Sequence, residues 1–508
     1  MVKATFGPRW QARMAAVLFD GRRFVLPALA IGYFVFWAAL LAIGKAAQVI
    51  HFDSAEAYAW GQQLAWGYGK HPPLSGAIAW LWFAVFPARD WAMYALAMAV
   101  TGATFGLLWL LARRVVDRRR ALLMACVVLV YPIINFKGYK YNADLALMPF
   151  IVLVVLVFTI AFERRTLAWG VALGLAGAAA VLTKYWGAWA IAAIGIAALL
   201  HPDRKAFFRS VVPYAAGAVF IVAMIPHVLW LIRDDFTPFR YAADYGATIG
   251  MAVKRAVTGS GQVLVLLLPA MLAGLVALWP MHRRRAGDQP PSNAARNLWI
   301  IVAVLAILPP ITAALLAVRM KSDWDIPMYT MVPLALIAWP GLAVPLRSVA
   351  RAATLALIYC VGAAIVVPLT DVVKYRVDSK ALLPKTLDEL AREATALWHQ
   401  RYGVKLPVVA GWEPYAAPVT FYSPDHPRLF TQANPKLAPW IDIGSLDHTG
   451  FLGICQAGDV QCIARISRWR LDAERVELSS RRLAIGREAP DDKWILILAP
   501  PQPKLAAQ

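Results

Sequence analysis

Long apolar runs recur along the chain up to residue 369, and no other feature of the sequence constrains the fold as much. About 20 apolar residues in a helix match the ~30 Å hydrocarbon core of a bilayer. Because 60% of the 508 residues are hydrophobic and only 16% are charged, a water-soluble fold of this length would expose too much apolar surface. The pattern predicts a polytopic α-helical membrane protein with about 11–13 transmembrane helices. The runs are 24–44, 74–88, 92–112, 121–134, 143–162, 167–182, 185–200, 211–232, 262–280, 297–318, 326–345 and 350–369.

The positive charges lie in short loops between the apolar runs. A net charge of +21 would suit a nucleic-acid partner if the cations formed one surface, but they are spread over many loops. Short loops rich in Lys and Arg are typical of the cytoplasmic side of a membrane protein. We therefore expect no nucleic-acid partner. The clustered cations are Arg113, Arg114, Arg118, Arg119, Arg120, Arg164, Arg165, Arg204, Lys205, Arg209, Arg283, Arg284, Arg285, Arg347 and Arg351.

The orientation follows from the basic N-terminus, which we place inside the cell. The first outer loop, residues 45–73, and the C-terminal tail then lie outside. The basic run 113–120 should lie inside the cell, so the chain should cross the membrane an odd number of times between the loop and this run. Two apolar segments, not one, separate them. Either 74–88 is re-entrant or 113–120 breaks the charge rule, and both alternatives stay open.

The sequence changes character after residue 371, where Pro, Asp, Arg, Trp and Tyr mix without any run of membrane length. We predict a transmembrane domain over 1–378 and a soluble α/β domain over 379–508, on the periplasmic side. The tail is expected to contain an amphipathic helix at 384–403 and strands at 406–412 and 493–500. Outside the cytoplasm, Cys455 and Cys462 are candidates for a disulfide.

The first outer loop carries ionisable groups at the membrane edge, in the stretch DSAEAYAWGQQLAWGYGKHPPL. Asp53 and Glu56 are three residues apart, so both face the same way if the stretch is helical. Lys70 and His71 precede a Pro-Pro pair that ends any local helix, where a lipid headgroup phosphate would lie. Ionisable groups near a bilayer are functional candidates by default, although an interfacial helix with snorkelling cations is the alternative.

Several stretches, taken in order, resemble the C-type glycosyltransferase superfamily. An Asp in the first outer loop, followed by Lys and a Pro pair, is similar to the glycosyltransferase family 39-like membrane proteins. These include the protein O-mannosyltransferases and the lipid A aminoarabinose transferases. The chain departs from the family pattern at Ser54, where an acid is usual, and at His71, which separates Lys70 from Pro72. The resemblance covers about residues 20–370 and includes YNADLALMPF (141–150), VALGLAGAAAVLTKYW (171–186), PHVLWLIRDDFTPFRY (226–241) and RMKSDWDIPMYTMVPLAL (319–336).

The resemblance implies roles for the polar residues of these stretches. Asp53 fits a general base or an acceptor-orienting group, and Glu56 fits a supporting catalytic carboxylate. Lys184 fits a helix-end anchor better than a site residue. We assign no cofactor with certainty, and a divalent cation held by Asp53 and Asp144 is a further hypothesis. Because a cation stabilises the charge on a leaving phosphate, we predict substrate or phosphate binding by Lys70, His71, Lys137, Lys140, Asp144, Arg240 and Lys321.

The resemblance also implies a membrane enzyme with a lipid-linked donor. We expect a glycosyltransferase that moves a hexosyl or pentosyl group from a polyprenyl phosphate such as undecaprenyl phosphate, by an inverting single displacement. The acceptor would lie at the periplasmic face of a bacterial inner membrane and would be lipid A, a lipopolysaccharide core, another envelope glycan or a protein. Donor, acceptor and membrane lipid are the expected partners, and no Gly-rich loop indicates a nucleotide donor. The rival interpretation is a transporter or flippase of lipid-linked sugars, and a third is a non-catalytic envelope scaffold.

Overall fold

The computed structural model describes residues 24–46, 48–243, 246–280, 292–377, 386–484 and 487–502. The part before residue 378 is helical. Its α-helices are α1 (Val25–Gly44), α2 (Phe52–Gly61), α3 (Leu74–Phe83), α4 (Asp90–Val115), α5 (Arg118–Val128), α6 (Ala143–Arg164), α7 (Leu167–Thr183), α8 (Ala188–Leu200), α9 (Arg204–Phe208), α10 (Val212–Arg233), α11 (Thr237–Ala243), α12 (Ile249–Leu278), α13 (Asn293–Leu315), α14 (Ser322–Asp325), α15 (Val332–Ile337) and α16 (Leu346–Val377). Short 3₁₀ helices occur at Pro132–Ile134, Phe136–Tyr139, Tyr185–Gly187 and Ile326–Tyr329.

Seven helices within the described ranges are long and apolar enough to cross a membrane: α1, α4, α6, α10, α12, α13 and the part Leu346–Leu369 of α16. Helix α5 and the segment Pro132–Tyr139 form a pair bent by 76°. Three further apolar helices are shorter, at α3, α7 and Tyr185–Leu200. The apolar runs of the sequence therefore outnumber the helices of full length. A helix such as α3, with its 10 residues, extends only about 15 Å.

Helix α6 lies at the centre of the helical part, and its sequence explains why. Its residues are apolar on all sides, and a helix of that kind is stable only when it is surrounded by other elements. It packs against α4, α7 and α8 and is mostly buried, whereas α10 leaves most of its surface exposed. The first turn of α6 carries Asp144. The most buried of the seven membrane-length helices thus begins with a carboxylate in its first turn.

The tail forms a five-stranded sheet in the order β2-β1-β3-β5-β4, flanked by helices. Strand β1 runs parallel to β2 and β3, and β5 is antiparallel to β3 and β4. The elements are α17 (Thr386–Tyr402), β1 (Val408–Gly411), α18 (Glu413–Tyr422), β2 (Arg428–Thr431), a 3₁₀ helix (Ile443–Ser445), α19 (Leu446–Thr449), β3 (Phe451–Gln456), α20 (Val460–Ser467), β4 (Glu474–Ala484) and β5 (Arg487–Ala499). A disulfide joins Cys455 of β3 to Cys462 of α20.

The fold class predicted from the sequence is confirmed: a polytopic helical membrane protein carries a C-terminal α/β region. The predicted helix at 384–403 and the predicted strands at 406–412 and 493–500 correspond to α17, β1 and β5. The boundary predicted at residue 378 and the cations at 283–285 lie outside the described residues.

The tail packs directly onto the first outer loop and the start of α4. The Tyr422 hydroxyl donates a hydrogen bond to Asp90 Oδ1 (2.7 Å) and accepts one from the Ile50 backbone N–H (2.8 Å). The rings of Tyr58 and Phe421 meet edge to face, 5.1 Å between centroids. Helix α18 lies against α2. The first outer loop is therefore enclosed between the membrane helices and the tail.

Candidate active site

Helix α2 places two carboxylates at the junction of the helical part and the tail. It begins after His51, whose Nδ1 accepts a hydrogen bond from the Asp53 backbone N–H (3.1 Å). Asp53 lies in the first turn, and Glu56 follows three residues later on nearly the same side of the helix. Glu56 is buried, whereas Asp53 is partly exposed. The two side chains enter two different clusters of charge.

Asp53 belongs to a cluster that solvent reaches, which we call the open cluster: Asp53, Lys140 and Asp323. Lys140 Nζ lies 3.2 Å from Asp53 Oδ2 and also contacts Asp323 Oδ2. The exposed fractions of these side chains are 29% for Asp53, 19% for Lys140 and 38% for Asp323. Asn142 adds a long hydrogen bond from Nδ2 to Asp53 Oδ2 (3.4 Å). One ammonium group thus holds two accessible carboxylates in place.

The electrostatics of the open cluster keep Asp53 and Lys140 charged. Burial raises the pKa of Asp53, but Lys140 and His51 outweigh it and hold this pKa below its ordinary value. Burial lowers the pKa of Lys140. The carboxylates of Asp53 and Asp323, and more weakly that of Asp144, raise this pKa by more than burial lowers it, so the net shift is upward. Burial lowers the pKa of His51 to about 4, so that ring is neutral near pH 7. The Asp53 carboxylate is therefore ionised and able to accept a hydrogen bond or a proton.

A second lysine–carboxylate pair lies behind the open cluster. Asp144 Oδ1 contacts Lys184 Nζ, and both side chains are nearly buried. Asn142 connects the pair to the open cluster. Its Nδ2 bonds to Asp53, and its Oδ1 caps α6, the helix that carries Asp144, by accepting from the Leu145 N–H (2.9 Å). The Lys184 ammonium also lies over the Trp324 ring, 5.1 Å from its centroid, where cation–π attraction stabilises it.

Glu56 belongs to a buried cluster, which we call the sealed cluster: Glu56, Lys70 and Glu413. Lys70 Nζ lies 2.8 Å from Glu56 Oε1 and contacts Glu413 Oε1, which the tail contributes. The exposed fractions are 7% for Glu56, 10% for Lys70 and 8% for Glu413. Gln432 Nε2 donates to Glu413 Oε1 (3.1 Å). The lysine of the Lys-His-Pro-Pro stretch is therefore enclosed by one carboxylate from each half of the molecule.

Burial shifts the pKa values of the sealed cluster. Burial raises the pKa of Glu56, Lys70 lowers it and the Glu413 carboxylate raises it, so that the pKa comes to about 7. Burial lowers the pKa of Lys70, but Glu56 and Glu413 together raise it well above its ordinary value. Lys70 thus keeps its charge, while Glu56 is poised between its two protonation states near neutral pH.

His71 is neutral, and charged groups of both clusters act on its pKa. Its ring packs edge to face on Trp60, 5.3 Å between centroids. Burial, together with the positive charges of Lys184 and Lys70, lowers the pKa of His71 to about 3. The ring is therefore a hydrogen-bonding group rather than a cation at neutral pH.

The remaining residues predicted from the sequence lie farther out. Lys137 is exposed on the 3₁₀ helix Phe136–Tyr139. Lys321 is exposed before α14, close enough for its charge to lower the pKa of His71. Arg240 forms an ion pair with Asp235, in which both side chains are more than half exposed. The structure thus brings together Asp53, Glu56, Lys70, His71, Lys140 and Asp144 at one end of the bundle.

Sequence reasoning missed several residues of these clusters. Asp323 lies inside the stretch 319–336, whose pattern favours Lys321 as a contact residue and gives no role to Asp323. Glu413 opens α18, where acids are common simply because they complement the helix dipole. No local signal therefore marked it. Within the described ranges no group of three His, Cys, Asp or Glu side chains has the arrangement of a metal site, and the cation at Asp53 and Asp144 stays a hypothesis.

Comparisons with known proteins place these features in a wider setting. A family model described as dolichyl-phosphate-mannose-protein mannosyltransferase matches residues 70–230. The lipid A galacturonosyltransferase RgtD of Rhizobium johnstonii is 24% identical over 307 residues, which are 57% of this chain and 61% of that protein. The chain therefore spans about three fifths of the length of this curated relative.

Two solved structures of ArnT from Cupriavidus metallidurans are similar to this chain over nearly its full length. The structure bound to undecaprenyl phosphate has a TM-score of 0.61 and 16% identity, covering 95% of this chain and 100% of that chain. The apo structure has a TM-score of 0.61 and 14% identity, covering 94% and 100%. At such identity the likeness shows a common fold. Together with the sequence matches, it confirms the resemblance to C-type, aminoarabinose-transferase-like membrane glycosyltransferases.

Proposed function

We propose that this protein is a glycosyltransferase that moves one sugar from a polyprenyl phosphate to a lipid A-type acceptor at the periplasmic face of a bacterial inner membrane. The observation that carries the proposal is the open cluster. An ionised, accessible Asp53 lies 3.2 Å from the ammonium group of Lys140 at the end of the bundle. This arrangement offers a proton acceptor and a phosphate-binding cation side by side. The match to a lipid A galacturonosyltransferase and the fold of an undecaprenyl-phosphate-bound ArnT support the acceptor and the donor.

Lys140 is the lysine best placed to meet the donor phosphate first. Its ammonium group is charged and partly exposed, whereas Lys70 is enclosed by Glu56 and Glu413. A phosphate that replaces Asp323 on Lys140 would bring the anomeric carbon of the sugar close to Asp53. Because nearby positive charge stabilises a leaving phosphate, Lys140 lowers the barrier to departure. His71, as a neutral ring, can add a hydrogen bond but no charge.

The reaction is then a single displacement. The acceptor hydroxyl donates a hydrogen bond to the Asp53 carboxylate, which orients its oxygen towards the anomeric carbon. The new bond forms between this oxygen and the anomeric carbon, and the proton passes to Asp53 as general base. The bond from the anomeric carbon to the phosphate oxygen breaks, and its electron pair stays on the polyprenyl phosphate. One attack on the anomeric carbon inverts its configuration.

The test is transfer in proteoliposomes that contain lipid A and a panel of synthetic polyprenyl-phosphate sugars, including uronic acids and aminopentoses. We expect one molecule of free polyprenyl phosphate for each glycosylated lipid A, with inverted configuration in the product. Movement of the lipid-linked sugar across the bilayer without release of polyprenyl phosphate would establish the rival transporter. The absence of both products with every donor would exclude the proposal.

A further inference from the structure

The tail contains an open crevice at the carboxyl ends of its parallel strands. The chain leaves β1 on one side towards β2 and returns to β3 on the other side, so the connections diverge between β1 and β3. In open α/β sheets, ligands bind at this position, outside the carboxyl ends of the strands. The crevice is shallow, with a volume of about 50 Å³, below the roughly 300–1,000 Å³ of sites that enclose a small molecule, so a ligand would bind against it rather than inside it. Its lining includes Trp412, Gln432, Asp459, Gln461, Cys462 and Arg465.

The lining suits a sugar ring better than an apolar ligand or a bare anion. Trp412 follows β1 and is 50% exposed, so its ring offers a flat apolar face to the C–H side of a pyranose. Gln461 and Arg465 are exposed on α20 and present an amide and a guanidinium group to hydroxyls. Asp459 has one oxygen committed to capping α20 at the Cys462 N–H (2.9 Å) and a second that remains available in the carboxylate.

The backbone beside the crevice is held in a conformation that side chains rarely adopt. Gln432 and Ala433, directly after β2, have φ values of +52° and +49°. The Gln432 backbone N–H donates to the Gly411 carbonyl (2.7 Å), which fixes this turn against the end of β1. Consecutive non-glycine residues in the left-handed region cost free energy and are concentrated at functional sites. The strained turn aims the Gln432 amide into the space between the crevice and α18.

A short chain of contacts joins the crevice to the sealed cluster. Arg465 Nη1 donates to Gln432 Oε1 (3.3 Å), and Gln432 Nε2 donates to Glu413 Oε1 (3.1 Å). Glu413 in turn pairs with Lys70. Gln432, which lines the crevice, is therefore one hydrogen bond from a carboxylate that contacts the membrane half of the molecule. A ligand in the crevice would lie beside the candidate active site rather than on a remote face of the tail.

We propose that this crevice is a saccharide subsite, and that it holds one sugar ring of the acceptor glycolipid by stacking on Trp412 and hydrogen bonding to Gln461 and Arg465. The proposal rests on the proposed function for the identity of the acceptor. The proposal gives the tail a role in acceptor binding. A glycolipid held by one sugar ring at the crevice would present a hydroxyl of its adjacent part towards the membrane edge.

The first test measures binding of a soluble probe, the β-1,6-linked glucosamine disaccharide, to the full chain in lipid nanodiscs by saturation-transfer NMR. We expect the wild type to bind, Trp412→Ala to bind at least about tenfold more weakly, and Trp412→Phe to recover much of the loss by keeping an aromatic face. Val460→Ala is the matched control, because Val460 begins α20 and is 73% exposed but does not line the crevice. Equal binding by wild type and Trp412→Ala would overturn the proposal.

The second test separates this inference from the proposed function. In the proteoliposome assay, Trp412→Ala and Arg465→Ala should raise the KM for lipid A about tenfold with little change in kcat, because they remove ground-state binding. If the wild type transfers sugar to lipid A but both variants keep its KM, the subsite is excluded and the proposed function stands. If the wild type transfers nothing yet binds the disaccharide through Trp412, the subsite stands and the acceptor assignment fails.

Discussion

The open and sealed clusters have the same composition and opposite surroundings. Each consists of two carboxylates around one lysine, and α2 contributes one carboxylate to each. In the open cluster 19–38% of each side chain is exposed, whereas in the sealed cluster 7–10% is exposed. The pKa of Asp53 is lowered and that of Glu56 is raised to about 7. The carboxylate that α2 contributes is therefore ionised and accessible in the open cluster, and buried and close to its pKa at neutral pH in the sealed cluster.

We expect this difference in exposure to match a difference in role, with the open cluster serving sugar transfer and the sealed cluster serving stability. An ion pair that solvent reaches contributes little to stability but can exchange its partners for a substrate. A buried pair contributes weakly in net terms, yet removal of one member leaves an uncompensated charge and is costly. We therefore expect substitutions in the open cluster to reduce transfer, and substitutions in the sealed cluster to reduce stability.

The largest expected effect is on transfer by Asp53→Asn. Loss of a positioned proton acceptor typically reduces the rate by about 10²–10⁴-fold, and we expect kcat/KM for lipid A to fall by about 10³-fold. The control is Glu163→Gln, a carboxylate in an exposed pair with Arg114, which should transfer at the wild-type rate. Because Asp53 is partly exposed, the variant should unfold at the wild-type temperature. Transfer within tenfold of the wild type would make Asp53 dispensable and break the comparison.

The next effect is on stability, in Lys70→Met compared with Lys140→Met. Removing the lysine of the sealed cluster leaves Glu56 and Glu413 facing each other, which should lower the free energy of unfolding by about 3–5 kcal/mol. Removing Lys140 should cost about 1 kcal/mol or less, because water can solvate Asp53 and Asp323. Thermal unfolding in detergent micelles measures both. Equal losses in the two variants would show that exposure does not distinguish the clusters.

The pH dependence of stability should sharpen the contrast. The pKa of Glu56 is raised from 4.5 to about 7 on folding, so the folded state binds the proton more tightly than the unfolded state. Its contribution is fully present below about pH 4.5 and is lost as the pH rises through 7, by roughly 3 kcal/mol at 1.4 kcal/mol per pH unit. Glu56→Gln should lack this decline in unfolding scans from pH 4.5 to 8. A parallel decline in the variant would assign the proton to another group.

The smallest expected effect is in Glu413→Gln. The amide keeps the shape of the side chain and leaves Lys70 paired with Glu56 alone, so the free energy of unfolding at pH 7 should change by about 1 kcal/mol. Because the neighbouring negative charge is removed, the decline assigned to Glu56 should move to lower pH. The unfolding midpoint as a function of pH measures this shift. An unmoved decline would mean that Glu413 does not act on Glu56.

The helical fold could be predicted from the sequence because the bilayer imposes a length on every crossing helix. The long apolar runs around α4 and α6 are read directly from hydropathy. The number of full-length spans could not be predicted in the same way. The run at 326–345 is largely buried among other helices, whereas the run at 74–88 leaves Trp80, Leu81 and Val85 exposed, and both form only short helices. Burial in protein and burial in lipid leave the same signature in a single sequence.

The site was partly predictable for a similar reason. Asp53, Lys140 and Asp144 stand out as ionisable groups between apolar runs, and the structure brings their side chains together. The pairing could not be predicted, because Lys70 and Glu413 are 343 residues apart and no local pattern connects them. The sequence favours a helix-end anchor for Lys184, whereas the structure pairs its ammonium group with Asp144 at the start of α6, beside the open cluster.

Helix α2 has a consequence for chimaeras assembled from related proteins. Its 10 residues form one rigid helix, with Asp53, the proposed base, at one end and Glu56, which shares Lys70 with the tail, one turn further along. A foreign tail grafted after residue 385 would have to supply an acid opposite Lys70. Without that acid, α2 would rotate and Lys70 would pair with a different group. Any such turn would also rotate Asp53 away from Lys140. Modular shuffling of the two halves is therefore restricted to tails that carry the counterpart of Glu413.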